Sequence, residues 1–381
     1  MLDILYEKVI VNRSQINEFF DNIRGNLDVD KIRSSYNECR FDKTIPDKTF
    51  AAVDGSLNKK KLMAAFIYAL SSQTIIYDSK THITKHSQAA DVNYISSTQT
   101  SHINDILSHQ MSILELKSTI DTLQKHPEID YMLLDGMISG KILYLSINYE
   151  FPQQIEDMIQ DKIDEIEQQL EDGNFPIEIV MNETIVNEIM QNGKFKPQEE
   201  NEIKEQIIKY SQTLEELACI NYLLENYSEK IVGVSKTSST HNQFEQIIPD
   251  AAAVEYVCQN SGYTNPIENS NIKPLRRVTT QRRRTNEFPK YRSLSDRTFT
   301  TFFTRINNHG NVLKIELPYK IYSDKHETIQ TILNDLNSIS VDGYPYILKK
   351  AHDEVVIKQR DMDSIMKELG IFEKTGRDML E

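Results

Sequence analysis

The apolar positions change period several times along the chain, and each change marks an element. Ile16, Phe19, Phe20 and Ile23 recur at helical spacing, so the first forty residues read as helix. From Lys48 to Val53 the pattern shortens to a β-type run that ends in Asp54-Gly55-Ser56. Leu62 to Leu70 and Thr74 to Tyr77 are two further compact runs, separated by few residues, as antiparallel neighbours are. Between Ser101 and Gln124 the helical period returns: Ile103, Ile106, Leu107, Ile113, Leu114 and Ile120 share one face. Tyr131 to Leu134 then reads as a strand running into Asp135-Gly136.

Two long helices are expected next, Phe151 to Glu171 and Gln198 to Tyr227. The stripe Ile155, Met158, Ile159, Ile163, Ile166 and Leu170 on the first is the usual sign of core packing, with a dimer surface as the alternative. Phe175 to Ile189, between them, carries no decisive period. Lys230 to Ser235 is a short strand, and residues 260–296, rich in Asn, Arg, Pro and Ser, form an extended excursion. Phe299 to Ile306 and Val312 to Leu317 suit an antiparallel pair, and Thr328 to Leu336 a helix. Gly343-Tyr344-Pro345-Tyr346 breaks the chain before a last stretch, Ala351 to Ile357. This alternation predicts an α/β fold with a mixed sheet flanked by helices. It divides into an N-terminal helical segment (1–45), a main domain (46–358) with a helical insertion at about 151–228, and a C-terminal tail or helix (359–381).

Composition narrows the function less than the pattern does. The net charge of −14 argues against a surface that binds polyanions all over. Its distribution is uneven, however. Between Lys273 and Arg305 lie Arg276, Arg277, Arg282, Arg283 and Arg284 among other bases, with only Glu287 and Asp296 as acids. Such a segment is either a solvated or partner-binding loop or a strip that tracks phosphates. Cys39, Cys219 and Cys258 are scattered and form no CxxC pair, so neither a disulfide framework nor a zinc knuckle is expected. A reducing cytoplasm is the expected compartment, and no apolar run approaches the roughly 18 residues of a membrane span. There is no GxSxG elbow and no GxxxxGK[ST] phosphate loop, so ATP hydrolysis would need a separate subunit.

The chemistry lies in an order of events. A strand delivers Asp54, two strands follow, a helix carries Glu115, and the next strand delivers Asp135. Ribonuclease-H-like folds deliver their carboxylates in this order, with the first and fourth strands side by side. Glu115 flanks the apolar stripe one turn beyond Met111, while Asp105 and Glu128 are weaker alternatives to it. Each acid alone has a plain explanation: Asp-Gly after an apolar run is often a turn, and a helical Glu is usually solvated. Crowded carboxylates repel one another unless a cation joins them, and phosphodiester cleavage uses divalent ions held by such oxygens.

AAVDGS (51–56), LLDG (133–136), VGVSKTS (232–238), LSDR (294–297), ELPY (316–319) and GYPYILKKAH (343–352) occur in the order of the motifs of the NurA family, which this sequence resembles. The resemblance spans about residues 48 to 358. It implies a DNA end-processing nuclease, a 5′–3′ exonuclease that resects ends and can also cut single strands internally. It further implies that Asp54, Glu115, Asp135 and His352 hold manganese or magnesium, two ions per site, and that Lys236 and Tyr344 complete the catalytic set. A homodimer docked on a hexameric HerA-type ATP-driven DNA translocase, acting in double-strand break repair, is implied as well. Residues 273–305 would then line the DNA channel, and the N-terminal helix and the helix from Phe151 would supply dimer or partner contacts. Two alternatives remain: a scaffold that keeps the fold without the chemistry, and a ribonuclease-H-like enzyme acting on RNA or transposon ends, with Asp296 as a fourth acid.

Overall fold

The computed structural model describes residues 2–371 apart from 45, 79, 81–83, 96–99, 145–150, 194, 196–199, 270–275, 279–284 and 288. For 85–86, 100–102, 143–144, 201, 276–278, 285–287, 289, 292 and 295 it describes the backbone only. In chain order the helices are α1 (Leu2–Gly25), α2 (Val29–Ser34), α3 (Thr100–Lys125), α4 (Ile138–Tyr144), α5 (Gln153–Asp172), α6 (Glu183–Asn192), α7 (Glu200–Tyr227), α8 (Asp250–Val257), α9 (Lys325–Ser338), α10 (Tyr346–Val355) and α11 (Gln359–Glu368). The strands are β1 (Tyr36–Glu38), β2 (Thr49–Lys61), β3 (Phe66–Asp78), β4 (Thr84–Ile95), β5 (Tyr131–Asp135), β6 (Ile231–Ser235), β7 (Gly262–Thr264) and β8 (Ile267–Asn269). They continue with β9 (Arg276–Val278), β10 (Thr285–Glu287), β11 (Phe299–Arg305), β12 (Leu313–Leu317), β13 (Ser340–Val341) and β14 (Tyr344–Pro345).

One mixed sheet, in the order β1-β7-β11-β12-β6-β5-β2-β3-β4 with β8 beside β11, organises the chain. Its centre is parallel. β2 pairs with β5 through Val53 and Leu134, and β5 pairs with β6 through Asp135 and Val234. Parallel strands are covered on both faces, which is why TFAAV and MLL are nearly unbroken apolar runs. Alternation sends their side chains to two cores. Ala51, Val53, Met132 and Leu134 join α3, α5, α6 and α7 on one face. Phe50, Ala52, Leu133, Val232 and Val234 join α9 and α10 on the other. The result is a ribonuclease-H-like mixed sheet whose first and fourth core strands, β2 and β5, lie side by side as the sequence predicted.

The structure departs from the sequence reading in five places. Residues 36–38, within the stretch read as helix, form strand β1, which pairs with β7 at one end of the sheet. β2 continues past Asp54 to Lys61, because β3 pairs with it along its whole length. The two expected runs at 62–70 and 74–77 are one strand. Polar Gln73 passes through the sheet with its amide donated to Thr74 O and Ser87 O and its own oxygen accepting from Gln88. β4 went unread, since its sequence, TKHSQAADVNYI, belongs to a sheet edge and has no apolar run. Tyr346–Val355 is helical from the residue after Pro345, where the sequence suggested a break. The stripe on α5 is spent internally, with Ile155, Ile159, Ile163, Ile166 and Leu170 all in the core, so it is not a free dimer surface. α1, by contrast, buries none of its residues.

The insertion is fastened to the sheet by a buried ion pair. Lys117 of α3 lies 2.8 Å from Glu215 of α7, both side chains essentially inaccessible. Lys117 also donates to Glu178 O, and Glu215 accepts from the amides of Val180 and Met181. Removing one partner strands the other charge in a dry interior. Lys117→Met is expected to lower the unfolding free energy by about 3–5 kcal/mol in urea titrations. A change below 1 kcal/mol would show that the two amides hold Glu215 unaided.

Candidate metal centre

Strand alternation decides which side chains meet. Asp54 follows Ala52, Asp135 follows Leu133 and Lys236 follows Val234, so all three leave the sheet on the face covered by α9 and α10. His352 of α10 comes down on the same face and sits 2.7 Å from Asp54 Oδ2. Tyr344 packs beside them, with the Lys236 ammonium 4.7 Å from the centre of its ring. Lys236 Nζ donates to Asp135 Oδ2 at 3.2 Å.

Glu115 arrives from the opposite face, on α3, and it reaches the edge because position 55 is glycine. A Cβ at Gly55 would lie 2.9 Å from Glu115 Cγ and closer still to its carboxylate. Only a residue without a side chain lets Glu115 cross there. Its carboxylate is held by Lys141 of α4 at 3.0 Å, and Lys141 also donates to Ser112 at 2.7 Å. Behind Ser112 stands Glu216 of α7, itself 2.7 Å from His109 Nδ1. A continuous polar chain thus runs from α7 to Glu115.

Asp54, Glu115, Asp135 and Lys141 line a cavity of about 20 Å³. That is room for roughly one water-sized guest. Exposure of the side chains runs from 11% at Asp54 and 17% at Glu115 to 47% at Lys236 and 52% at His352. Asp54 and Glu115 are deep, whereas Asp135 and the two outer bases face solvent. Burial pushes the Asp54 carboxyl above its ordinary value, against the pull of His352 and the Gly55 amide, and the neighbouring Asp135 charge adds to the rise. Burial likewise raises Glu115, with Lys141 opposing. For Lys141 burial works downward, yet the carboxylates of Glu115 and Glu216 outweigh it and the net shift is upward. Burial and the charges of Asp135 and Asp54 push the Tyr344 phenol well up, and its hydroxyl is buried without a hydrogen-bond partner among the described residues.

All six residues singled out as catalytic therefore converge, though in three groups: Asp54 with His352, Asp135 with Lys236 and Tyr344, and Glu115 with Lys141, a residue outside that set. Among the described residues no three His, Cys, Asp or Glu side chains already form a ligand cage, since each acid leans toward its own base. The donor set nonetheless suits a hard divalent cation: carboxylate oxygens around an ion-sized cavity, with two of the acids disfavoured as bare charges. The alternatives to Glu115 are elsewhere. Asp105 pairs with Lys209, Glu128 lies beside His126, and both are exposed. Asp296 is exposed at the end of a 3-10 segment that packs on α7, outside the cavity lining. Arg282, Arg283 and Arg284 lie outside the described residues, as do the side chains of Arg276 and Arg277, whose backbone forms β9.

Sequence reading missed three contributors. Lys141 had one signal, as the only Lys or Arg between Lys125 and Lys162. Gly55 was seen only as half of a turn. Glu316, within the ELPY motif, is buried on β12 and accepts from both the amide and the hydroxyl of Ser139. It thereby anchors the first turn of α4, just after Asp135, and nothing in the local sequence separates it from a surface acid.

A ribonuclease-H-like sheet with acids at the ends of adjacent parallel strands, and bases closing over them, defines a class of phosphodiester-processing α/β proteins. The NurA domain model matches residues 48–357, and the chain belongs to that family. The probable DNA double-strand break repair nuclease NurA of Methanocaldococcus jannaschii is 24% identical over 99% of this chain and 92% of its own. The DNA double-strand break repair nuclease NurA of Sulfurisphaera tokodaii is 25% identical over 98% and 97%. The crystal structure of the NurA nuclease from Sulfolobus solfataricus shares the fold at a TM-score of 0.72 and 20% identity, covering 97% of each chain. A crystal structure of NurA bound to dAMP and manganese matches at 0.66 and 17%, over 98% of this chain and 99% of that one.

Two expectations follow from the geometry. Gly55→Ala should leave the melting temperature within a few degrees while displacing Glu115. Manganese affinity measured by calorimetry should then fall about tenfold or more, and unchanged affinity would remove Glu115 from the ligand set. Asp54, its carboxyl raised in the folded state, favours folding in its neutral form, and that contribution is lost as pH rises through the folded value. Without metal at pH 7, Asp54→Asn should therefore melt above wild type by about 1–3 °C, and the gap should close toward about pH 4. A gap that widens on acidification contradicts the assignment.

Proposed function

We propose that this chain is a metal-dependent deoxyribonuclease. The observation that carries the reading is the adjacency of Asp54 and Asp135 on paired parallel strands, with Glu115 crossing over Gly55 to the same ion-sized cavity. The family relationship supports it, since relatives along nearly the whole chain are named DNA double-strand break repair nucleases.

In this reading Asp54, Glu115 and Asp135 hold manganese or magnesium, with His352 as a further ligand or as the group that fixes Asp54. A bound ion would supply charge stabilisation for the attacking and leaving oxygens. The preformed cavity has room for one, so the two ions implied by the sequence resemblance require a second position outside it. The chain's own groups divide the remaining work. Lys236, half exposed and braced by the Tyr344 ring, meets the incoming phosphate and offsets its growing charge. Tyr344, its own hydroxyl buried, acts through that ring. His352 is placed to move a proton at the outer side of Asp54. Lys141 keeps Glu115 aimed across the sheet.

The finer reading is a 5′–3′ exonuclease that resects DNA ends in double-strand break repair, with single-strand endonuclease activity, working as a homodimer on a hexameric HerA-type translocase. It rests on the family relationship and on the absence of a phosphate loop in the sequence, which leaves ATP hydrolysis to a partner.

The test is degradation of end-labelled linear DNA, beside RNA and hybrid substrates, in manganese, magnesium or EDTA. Wild type should degrade DNA only with metal, Asp54→Ala should fall to background, and Lys236→Ala should lose about 10²–10³-fold in rate. Cleavage that survives in purified Asp54→Ala overturns the assignment. So does a wild type that stays inactive even with a HerA-type partner.

A further inference from the structure

Lys141 and a metal ion compete for one place. The cavity lined by Asp54, Glu115 and Asp135 is lined by Lys141 as well, and it has room for roughly one water-sized guest. Lys141 Nζ sits 3.0 Å from Glu115 Oε2. A divalent cation on Glu115 and an ammonium on the same carboxylate repel at short range, where little water screens them. Binding therefore requires the ammonium to move. Lys236 and His352, half exposed, can release their acids toward solvent. Lys141 is the least exposed of the three bases, and an ammonium that loses its carboxylate there is costly unless a second carboxylate takes it.

Glu216 supplies that second carboxylate. It lies on α7, 2% exposed, beside Glu215 in sequence. Glu215 is matched by Lys117. The partners of Glu216 among the described residues are instead His109 Nδ1, 2.7 Å from its Oε2, and the Ser112 hydroxyl, which donates to its Oε1. An acid buried with a hydroxyl and an imidazole is expensive if it serves packing alone. Ser112 also accepts from Lys141 at 2.7 Å, so a single hydroxyl separates the ammonium from Glu216. Three carboxylates keep Lys141 charged: Glu115 and Asp54 belong to the metal centre, and Glu216 does not.

We propose that Glu216 is a positioning residue for metal binding: when a divalent cation takes Glu115, the Lys141 ammonium passes along Ser112 to Glu216. It rests on the metal-centre reading and deepens that reading, since it assigns how the innermost base yields its place. No proton moves and no covalent bond changes; one ammonium exchanges one carboxylate for another. Before the ion arrives Lys141 holds Glu115 in position, and afterwards the ion does. His109, on the far oxygen, keeps Glu216 turned toward Ser112 throughout.

Calorimetric titration of manganese into the full chain tests this with Glu216→Gln. Glutamine keeps the shape of the side chain and can hydrogen-bond Ser112 and His109, but it carries no charge. Its melting temperature in EDTA should stay within a few degrees of wild type, while manganese affinity falls about tenfold or more. In Lys141→Met there is no ammonium to receive, so adding Glu216→Gln should change affinity by less than about twofold. An equal loss in both backgrounds would mean that Glu216 acts by packing or by attracting the ion directly, and it overturns the proposal. So does an unchanged affinity in Glu216→Gln alone. A wild-type crystal soaked in manganese reads the same event without a substitution: Lys141 Nζ should stand about 3 Å from Glu216 and no longer on Glu115. Lys141 still paired with Glu115 beside a bound ion overturns the proposal as well. A wild type that binds no manganese removes the metal centre itself, whereas binding that Glu216→Gln leaves intact removes only the role of Glu216.

Discussion

The parallel pairing of β2 with β5 is the constraint from which the site follows. Once Val53 faces Leu134, the next residue on each strand is an aspartate, and both leave the sheet together on the α10 face. No loop has to search for this geometry. The pairing in turn depends on apolar cover on both faces, which α3 and α7 supply on one side and α9 and α10 on the other. The charge cluster is affordable because so much uncharged packing surrounds it.

That cluster is balanced before any ligand arrives. Each acid has a base from a different element: His352 from α10, Lys141 from α4 and Lys236 from the end of β6. The pairing keeps three nearby carboxylates in one place without a metal, at the cost of leaving them divided rather than gathered. The inner base, Lys141, sits in a hydrogen-bond chain, whereas Lys236 and His352 are half open to solvent. The two bases that can swing away are therefore those at the mouth.

The sequence made the parallel core legible because buried strands leave unbroken apolar runs, and Asp54 and Asp135 sit at the ends of two of them. The edge strand β4 was not legible, since an edge needs no apolar run. Residues 62–78 misled for a related reason: Gln73 and its neighbours look like a turn until Gln88 and the β4 backbone answer them. Glu115 was reached by spacing alone, and what singles it out from Asp105 and Glu128 is a missing side chain sixty residues earlier, at Gly55. Lys141 and Glu316 act through contacts between distant segments, and no local period records those.

The fastening of α7 to α3 has a consequence for how the protein can be divided. Lys117, pinned to Glu215, is two residues from Glu115, and Glu216 reaches Lys141 through Ser112. The helices between β5 and β6 are thus the buttress of Glu115 as well as an elaboration of the sheet. A boundary drawn around the strands alone would leave two aspartates in register and the third acid without its abutment. The smallest heritable unit of this chemistry is therefore larger than the smallest unit of the fold.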